Sequence, residues 1–498
     1  MLFCTNENKI LIPTNQESEH SKKISDFPFI PHPQHDTTFP FNQDLQHYLH
    51  GKRLLIDEIP FPSETIQSHY QYGFLKYDYG LTATKVGQTC QRCGNINVNL
   101  FASFHCSRCN QECTYCRHCI MMGRVSECTP LISWSGPKPS PRAYNYKLTW
   151  NGTLSKGQKL ASDKVLEAIQ NNTSLLVWAV CGAGKTEVLF KGIESALSQG
   201  KHVCIATPRT DVVLELSPRL HKVFPDMEVA TLYGGSEDRM KNSPLTIATT
   251  HQLLRYYRAF DTLIIDEVDA FPYSIDPALE YAANQAQTED GTKIYLSATP
   301  SKKMQREARS GRLSTFIIPA RYHRKPLPVP AMEWCGNWEK RVKKSKLPGN
   351  VLYWVQKHHS ANRPIFLFVP NIELLEKITA ILKMQFGELV AGVHAKDRKR
   401  KEKVADFRAG KTRILVTTTI LERGVTVANV QVGVLGAEDN LFTESALVQI
   451  AGRAGRSNQH PDGDVRFFHY GRTREIINAI DQIRRMNYRA EKGGFQDG

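Results

Sequence analysis

No apolar run in the sequence approaches the roughly 20 residues that a bilayer-spanning helix needs, so a helical integral membrane protein is not expected. The first residues, MLFCTNENKILIPTNQ, lack a basic stretch followed by an apolar one, and the expectation is a chain that is not secreted. Acidic residues are in deficit, with 49 Asp and Glu against 64 Lys and Arg, a formal net charge of +15. A basic surplus of this size suits a polyanionic partner, nucleic acid or an anionic membrane surface. Cysteine is scarce outside one block: of twelve, eight fall between Cys90 and Cys128, leaving Cys4, Cys181, Cys204 and Cys335 scattered. A secreted disulfide scaffold would be short and Cys-rich throughout, so the dense block points to metal instead. Short-period repeats are absent too. What remains is an ordinary balance of 41% apolar and 23% charged residues over 498 positions, enough for roughly three or four domains.

The chain divides into stretches of different character. Residues 1–84 are polar and proline-containing, with aromatic clusters (FPFIPHPQHDTTFPF, HYQYGFLKYDYG). They are expected to be partly disordered, with a small folded unit from about residue 45. Residues 85–130 hold the cysteine block, and 131–147 (beginning LISWSGPKPSPRAYN) read as a linker. From 148 to 318, apolar runs (SLLVWAV, HVCIAT, LTIATT, TLIIDE, KIYLSAT) alternate with helix-like stretches. A proline-rich segment, 319–330, reads as a second linker. The alternation then returns over 331–498 with PIFLFVP, LVAGVHA, TRILVTTT, VQVGVLGA and DVRFFHY. The expected fold class is α/β: two parallel-sheet domains behind a Cys-rich module.

Between the run SLLVW and the helix-like EVLFKGIESALSQG lies Ala179-Val-Cys-Gly182-Ala183-Gly184-Lys185-Thr186-Glu187. Strand, Gly-rich turn, Lys-Thr and helix form the context of a phosphate-binding loop. Gly182, Ala183 and Gly184 would let backbone N–H groups approach phosphate oxygens, and the helix N-terminus adds partial positive charge. Lys185 would reach the β- and γ-phosphates and Thr186 would ligate Mg²⁺, so ATP and Mg²⁺ are the expected cofactors. Ala179 stands where the general pattern has its first glycine.

The run Leu263-Ile-Ile-Asp266-Glu267-Val-Asp269 ends a strand in carboxylates. Asp266 is expected to hold Mg²⁺ and Glu267 to orient and deprotonate the attacking water. Ser297-Ala-Thr299 closes a later strand with hydroxyls suited to linking the acidic box to the second half. Gln158, ahead of the loop, has an amide suited to the adenine edge. In the second half, Gln449-Ile-Ala-Gly-Arg453-Ala-Gly-Arg456 places two arginines three residues apart on one helix face, where they could stabilise charge on a transferring γ-phosphoryl group. Ahead of them, Thr418, Arg423 and Gly424 sit at a strand-to-helix turn able to hold a nucleic-acid phosphate. The basic run opened by His394 (Lys396, Arg398, Lys399, Arg400) fits strand contact and a solvated helix face about equally.

In the cysteine block, Cys90-x2-Cys93 is followed after twelve residues by Cys106-x2-Cys109. Paired CxxC turns at this spacing suit Zn²⁺ held by thiolates. Cys113, Cys116, Cys119 and Cys128 either complete a second site or interleave with the first; the spacing leaves the pairing open. Arg92, Arg108, Arg117, His118 and Arg124 add positive charge that could meet DNA.

With these motifs in order, residues 148–470 resemble superfamily 2 helicases. The resemblance implies two RecA-like domains, a Q-type adenine contact at Gln158, a nucleic-acid contact at Thr207-Pro208-Arg209, and ATP-driven movement on a strand. The block CQRCGN, LFASFHCSRC, CTYCRHCIMMGRV, together with DEVDAFPY and RYHRKPLPVP, is similar to the late-competence ComFA-type helicases. That resemblance implies a cytoplasmic ATPase, peripheral at the inner face of the cell membrane. It would drive transforming single-stranded DNA inward with the competence uptake channel and other late-competence proteins. A PriA-like replication-restart helicase is the alternative, although PriA inserts its zincs within the core and here the cysteines precede it. A nucleotide-switched, zinc-bearing DNA-binding protein without translocation is the other.

Overall fold

The computed structural model describes residues 1–7, 9–14, 20–85, 87–139 and 147–496. Contacts group the chain into two compact units. The first comprises Met1–Asn151, Val165–Leu175 and Lys191–Tyr295; the second comprises Gly152–Lys164, Leu176–Phe190 and Leu296–Gly498.

In the first unit, the N-terminal region is more ordered than its composition suggests. Strand Leu131–Trp134 runs antiparallel between Arg53–Leu55 and Leu75–Asp78. Helices Gln43–Leu49 and Ser63–Gln71 accompany this sheet, the first capped by the Asn42 side chain accepting from the Leu45 amide. Phe3, Leu11, Leu45, Leu49, Leu54, Ile66, Tyr70, Tyr77 and Ile132 bury one apolar core. Aromatic residues of the expected folded unit supply part of it, with Tyr70 stacked on Tyr77 at 4.0 Å between centroids. The linker expected to start at residue 131 therefore starts later, because LISW pairs on both edges and Ile132 is fully buried. The part of that linker at 140–146 lies outside the described residues.

The cysteine block is inserted between two strands of this small sheet. It contributes the hairpins Leu81–Thr84/Gly87–Cys90 and Phe101–Cys106/Gln111–Cys116. The same unit holds a parallel run ordered Val229–Leu232, Leu245–Thr249, Val203–Thr207, Phe260–Asp266. Every residue of VCIAT and LTIAT is buried, as expected of strands covered on both faces. Ala206 pairs with Ile265, so Thr207-Pro208-Arg209 and Asp266-Glu267 leave neighbouring strands at the same C-terminal edge. Open parallel sheets bind their ligands at such an edge.

The second unit holds a six-stranded parallel sheet, in the order Ala331–Trp334, Val465–His469, Gln431–Leu435, Ile365–Phe368, Ile414–Thr417, Val390–Val393. Trp338, Trp354, Ile365, Leu367, Ile378, Ile414, Val416 and Phe468 belong to its core. Strand Leu175–Ala179 carries the phosphate loop into this unit, and the Val180 amide bonds the Ile318 carbonyl at 3.1 Å. The segment 319–330, expected as a linker, is packed rather than free. Arg321 is 1% exposed, and the Leu327 amide and carbonyl are both held by the Asn487 side chain, at 2.8 and 2.9 Å. These proline-rich residues lack repeating secondary structure, but the Asn487 side chain ties them to the body they lie against.

Candidate nucleotide site and metal centres

The phosphate loop turns sharply at its glycines: Gly182 and Gly184 have φ of 80° and 71°, a region that side chains rarely adopt. Ala183 is fully buried and its amide closes on the Val180 carbonyl at 3.1 Å. Thr186 precedes a short helical turn, Glu187–Leu189, that leads into helix Phe190–Ser198. Gln158 does not offer a free edge. Its Oε1 accepts from the Ser155 amide at 2.8 Å and its Nε2 donates to the Gly184 carbonyl at 3.2 Å. Its Nε2 thus braces the phosphate loop while its Oε1 is tied to the start of its own helix.

Arginine-box residues meet this loop within the second unit. The Cys181 thiol donates to Gln449 Oε1 at 3.1 Å. Gly452 lies so close that a Cβ there would stand 2.4 Å from the Cys181 Cβ. Helix Glu444–Ala451, capped by Thr443, thus places the start of QxxGRxGR against the phosphate loop. Thr299, at the end of the Ser-Ala-Thr segment, shares a 2.7 Å hydroxyl contact with Ser445 on that helix. Ala298 accepts from Trp178 and Gln482, each at 3.0 Å.

The two arginines of the box differ. Arg453 is 2% exposed; its guanidinium donates to the Glu422 carbonyl (2.7 Å from Nε) and to the Val425 carbonyl. It therefore fastens the 422–425 turn. Arg456 is half-buried, donating to the Gly452 carbonyl at 3.0 Å and to Thr426 at 3.3 Å. Arg423, expected to contact nucleic acid, is 2% exposed and lies 3.6 Å from the Glu422 carboxylate. Its charge is spent inside the protein, which leaves Thr418 and the backbone around Gly424 (φ 75°) as the accessible part of that turn.

In the first unit, Asp266 ends its strand at 9% exposure and accepts the Glu267 amide at 2.9 Å. Glu267 sits at φ 54°, a left-handed conformation that is costly for a side chain and recurs at functional sites. Thr207 is fully buried, and Arg209 forms a two-pronged contact with Asp211 at 2.8 and 3.1 Å.

The cysteine block resolves into two four-sulfur clusters, Cys90/Cys93/Cys116/Cys119 and Cys106/Cys109/Cys113/Cys128. The pairing is interleaved: strand Gln111–Cys116 gives Cys113 to one cluster and Cys116 to the other. Sulfur separations are 3.8 Å for Cys90–Cys119 and 3.7 Å for both Cys93–Cys116 and Cys106–Cys128. A tetrahedron with Zn–S of about 2.3 Å has edges of about 3.8 Å, so both sulfur sets fit a closed, structural Zn²⁺. Outer partners are in place as well. Arg92 donates to the Cys119 sulfur at 3.3 Å and to the Met122 carbonyl at 2.8 Å, and Asn95 reaches the Cys116 sulfur at 3.8 Å. Arg92 is 2% exposed, so it braces the cluster and is no DNA contact; Arg117 and Arg124 remain exposed. His118 pairs with Asp276 at 3.1 Å.

Residues 34–133 match the competence protein ComFA N-terminal domain, 151–302 the type III restriction enzyme res subunit, and 343–458 the helicase conserved C-terminal domain. Competence protein ComFA of Bacillus subtilis (strain 168) is 51% identical over 91% of this chain and 97% of its own. The chain belongs to the ComFA family. Competence protein ComFA of Streptococcus pneumoniae is 38% identical over 77% of this chain and 90% of its own. The structure of the DEAD-box helicase Mss116 bound to ssRNA and UDP-BeF superposes with a TM-score of 0.51 at 17% identity. It covers 66% of this chain and 77% of its own, a likeness of fold. The motif resemblance is thereby borne out: this ComFA-family chain is a superfamily 2 helicase with two RecA-like parallel sheets and a Cys-rich N-terminal region. No described helix is long and apolar enough to cross a membrane.

Two features escaped sequence reasoning. Cys181 looked like a scattered cysteine, and Arg321 looked like part of a linker. Both lie inside quoted segments, the phosphate loop and RYHRKPLPVP, at positions to which the sequence assigns no chemistry.

Proposed function

We propose that the chain is an ATP-driven motor on single-stranded DNA, with ATP hydrolysis stimulated by the strand and used to draw transforming DNA inward during competence. The observation that carries the reading is the meeting of phosphate loop and arginine box through Cys181, Gln449 and Gly452. A nucleotide bound on the loop would then lie within reach of cations delivered by the second α/β sheet.

In this reading the working parts are the zinc module (85–130), an ATP-binding domain (148–318) and a C-terminal helicase domain (331–498). Gly182 and Gly184 offer backbone N–H groups to the phosphates while the Ala183 amide holds the turn closed on Val180, Glu187 flanks the loop, and Lys185 neutralises the β- and γ-oxygens. Thr186 and Asp266 would hold Mg²⁺, which neutralises phosphate charge when bound. Glu267 takes a proton from the attacking water as its oxygen bonds to the γ-phosphorus and the bond to the β-phosphate oxygen breaks. Arg456 stabilises the charge on the transferring group, while Arg453 keeps the 422–425 turn in register with it. Thr207-Pro208-Arg209 and the Thr418–Gly424 turn grip the strand backbone, and a grip that changes with the nucleotide produces movement. Two Zn²⁺ would be held by the eight cysteines and keep the module folded. The partners of this reading are single-stranded DNA, the competence uptake channel and other late-competence proteins. The place of work is the inner face of the cell membrane.

The test is steady-state ATP turnover with matched single-stranded DNA, duplex DNA and RNA, in wild type and Lys185→Ala. Stimulation by single-stranded DNA, lost in Lys185→Ala, supports the motor. Stimulation by RNA alone would make it an RNA helicase, and strand binding without turnover would make it a nucleotide-switched clamp.

A further inference from the structure

Arg321 stands beside the phosphate loop. The Tyr322 amide donates to the Gly182 carbonyl at 3.0 Å, and a Cβ on Gly182 would lie 3.8 Å from the Arg321 Cγ and Cδ. The far end of the side chain reaches the arginine box, where Nη1 donates to the Gly455 carbonyl and, at 3.3 Å, to Pro461. His323 Nε2 meets the same Gly455 carbonyl at 3.2 Å. The side chain therefore runs from the first glycine of the loop, against its stem, to the last glycine of QIAGRAGR, against its guanidinium.

Its environment is unbalanced. Arg321 is 1% exposed, yet its Nε and Nη2 donors have no partner among the described residues. Burial pushes its pKa down to about 10; Cys181 and Asp462 act against that, and the neighbouring Arg456 adds to it. Buried guanidinium groups are ordinarily matched by a carboxylate and satisfied in their hydrogen bonds. Here no carboxylate forms an ion pair with the guanidinium among the described residues, and a second arginine, Arg456, is near enough to oppose its charge. Two cations beside a phosphate loop, with two donors to spare, are the complement of an anion, and the loop is built to deliver one.

We propose that Arg321 is a third arginine of the nucleotide site, donating Nε–H and Nη2–H to the terminal phosphate of a bound nucleoside triphosphate. This rests on the reading of 179–187 as the ATP loop. It assigns the segment 319–330 a second task. An arginine that senses the γ-phosphate from this segment would tighten it when the triphosphate is present and release it after hydrolysis. Arg321 would thus report nucleotide state to the chain that leads into the second sheet.

The experiment compares binding of fluorescent ADP and of a non-hydrolysable ATP analogue with Mg²⁺, together with ATP turnover, for wild type, Arg321→Gln and Arg321→Lys. For Arg321→Gln, ADP affinity is expected within about twofold of wild type, analogue affinity weaker by about tenfold, and kcat lower by about 10²-fold, the scale of losing an oriented charge-stabilising donor. Arg321→Lys keeps the charge and the space but not the two-pronged donor, and should show a smaller loss of the same kind. If Arg321→Gln does not fold, Arg321→Lys decides: triphosphate preference and kcat at wild-type level overturn the proposal. Equal weakening of ADP and analogue also overturns it, leaving Arg321 a brace between Gly182 and Gly455. The binding ratio is read without turnover, so it judges Arg321 even where the wild type proves inactive. Failure of wild type to bind any nucleotide sinks the ATP-loop reading itself.

Discussion

The interleaved cysteine pairing makes a sharp expectation, because neighbours in sequence belong to different clusters. Cys113 and Cys116 lie on one strand, Gln111–Cys116, yet each completes a different set of four sulfurs. Sequential pairing would instead join Cys90, Cys93, Cys106 and Cys109 in one site and the other four in the second. Two double variants separate these outright. With two zincs in the wild type, Cys113→Ser plus Cys116→Ser should lose both, whereas Cys106→Ser plus Cys113→Ser should lose one. Sequential pairing gives the reverse in each case. The effect is large enough to see in stoichiometry alone: a structural zinc contributes about 10–16 kcal/mol of apparent binding at neutral pH, so removing one of four thiolates empties the site under chelator competition. The assay is zinc released by a mercurial reagent into a chromogenic chelator, per mole of purified protein. One zinc retained by Cys113→Ser plus Cys116→Ser, with none retained by Cys106→Ser plus Cys113→Ser, would refute the cross-braced module. The same measurement on wild type sets the baseline of two.

Gly452→Ala forces a methyl to within 2.4 Å of the Cys181 Cβ and 2.7 Å of its sulfur, both too close to accommodate. Loop and arginine box must part, and kcat should fall by about 10²-fold, as expected for a misplacement near 1 Å, while a control Gly349→Ala, at an open position without a positive φ, leaves the rate near wild type. Asp464 accepts from Trp354 at 3.1 Å, His358 at 3.0 Å and Arg466 at 2.7 Å. Burial alone would raise its pKa, but the His358 and Arg466 hydrogen bonds hold it well below the ordinary carboxylate value. A depressed carboxylate stabilises the fold above its unfolded pKa of about 3.9 and loses that contribution as pH falls through the folded value. Asp464→Asn should therefore cost about 1–3 kcal/mol in denaturant unfolding at pH 7. The gap to wild type should narrow as the pH is taken below about 4; a gap independent of pH would contradict the assignment.

Much of this site was legible because backbone and motif act together. A glycine pair that needs positive φ, a Lys-Thr that follows it and carboxylates at a strand end are local statements, and the loop and acidic box stand where their residues predicted. The parallel strands announced themselves as continuous apolar runs such as IFLF and ILVT. Side-chain allegiance was not legible in the same way. Arg92, Arg423 and Arg453 read as charges for a phosphate or a strand, and all three are buried against sulfur, carboxylate or carbonyl groups of their own chain. Gln158 closes on the loop because Ser155 and Gly184 satisfy both ends of its amide. The residues before about 45 misled by composition: aromatics separated by prolines gave no period, although Leu2–Thr5 pairs with Leu11–Thr14 and Phe3, Leu11 and Ile24 join the core of the unit that follows. Arg321 could not be found from sequence, since only the fold brings position 321 between 182 and 455.

The most direct test of the motor is phosphate release from ATP by wild type and Glu267→Gln, each with and without single-stranded DNA, alongside nucleotide binding. The strand should accelerate the wild type. Glu267→Gln should lose at least about 10²-fold in turnover, the scale of a missing general base, while binding nucleotide as before. A wild type indifferent to the strand, or a Glu267→Gln variant that turns over at the wild-type rate, would contradict the DNA-driven ATPase.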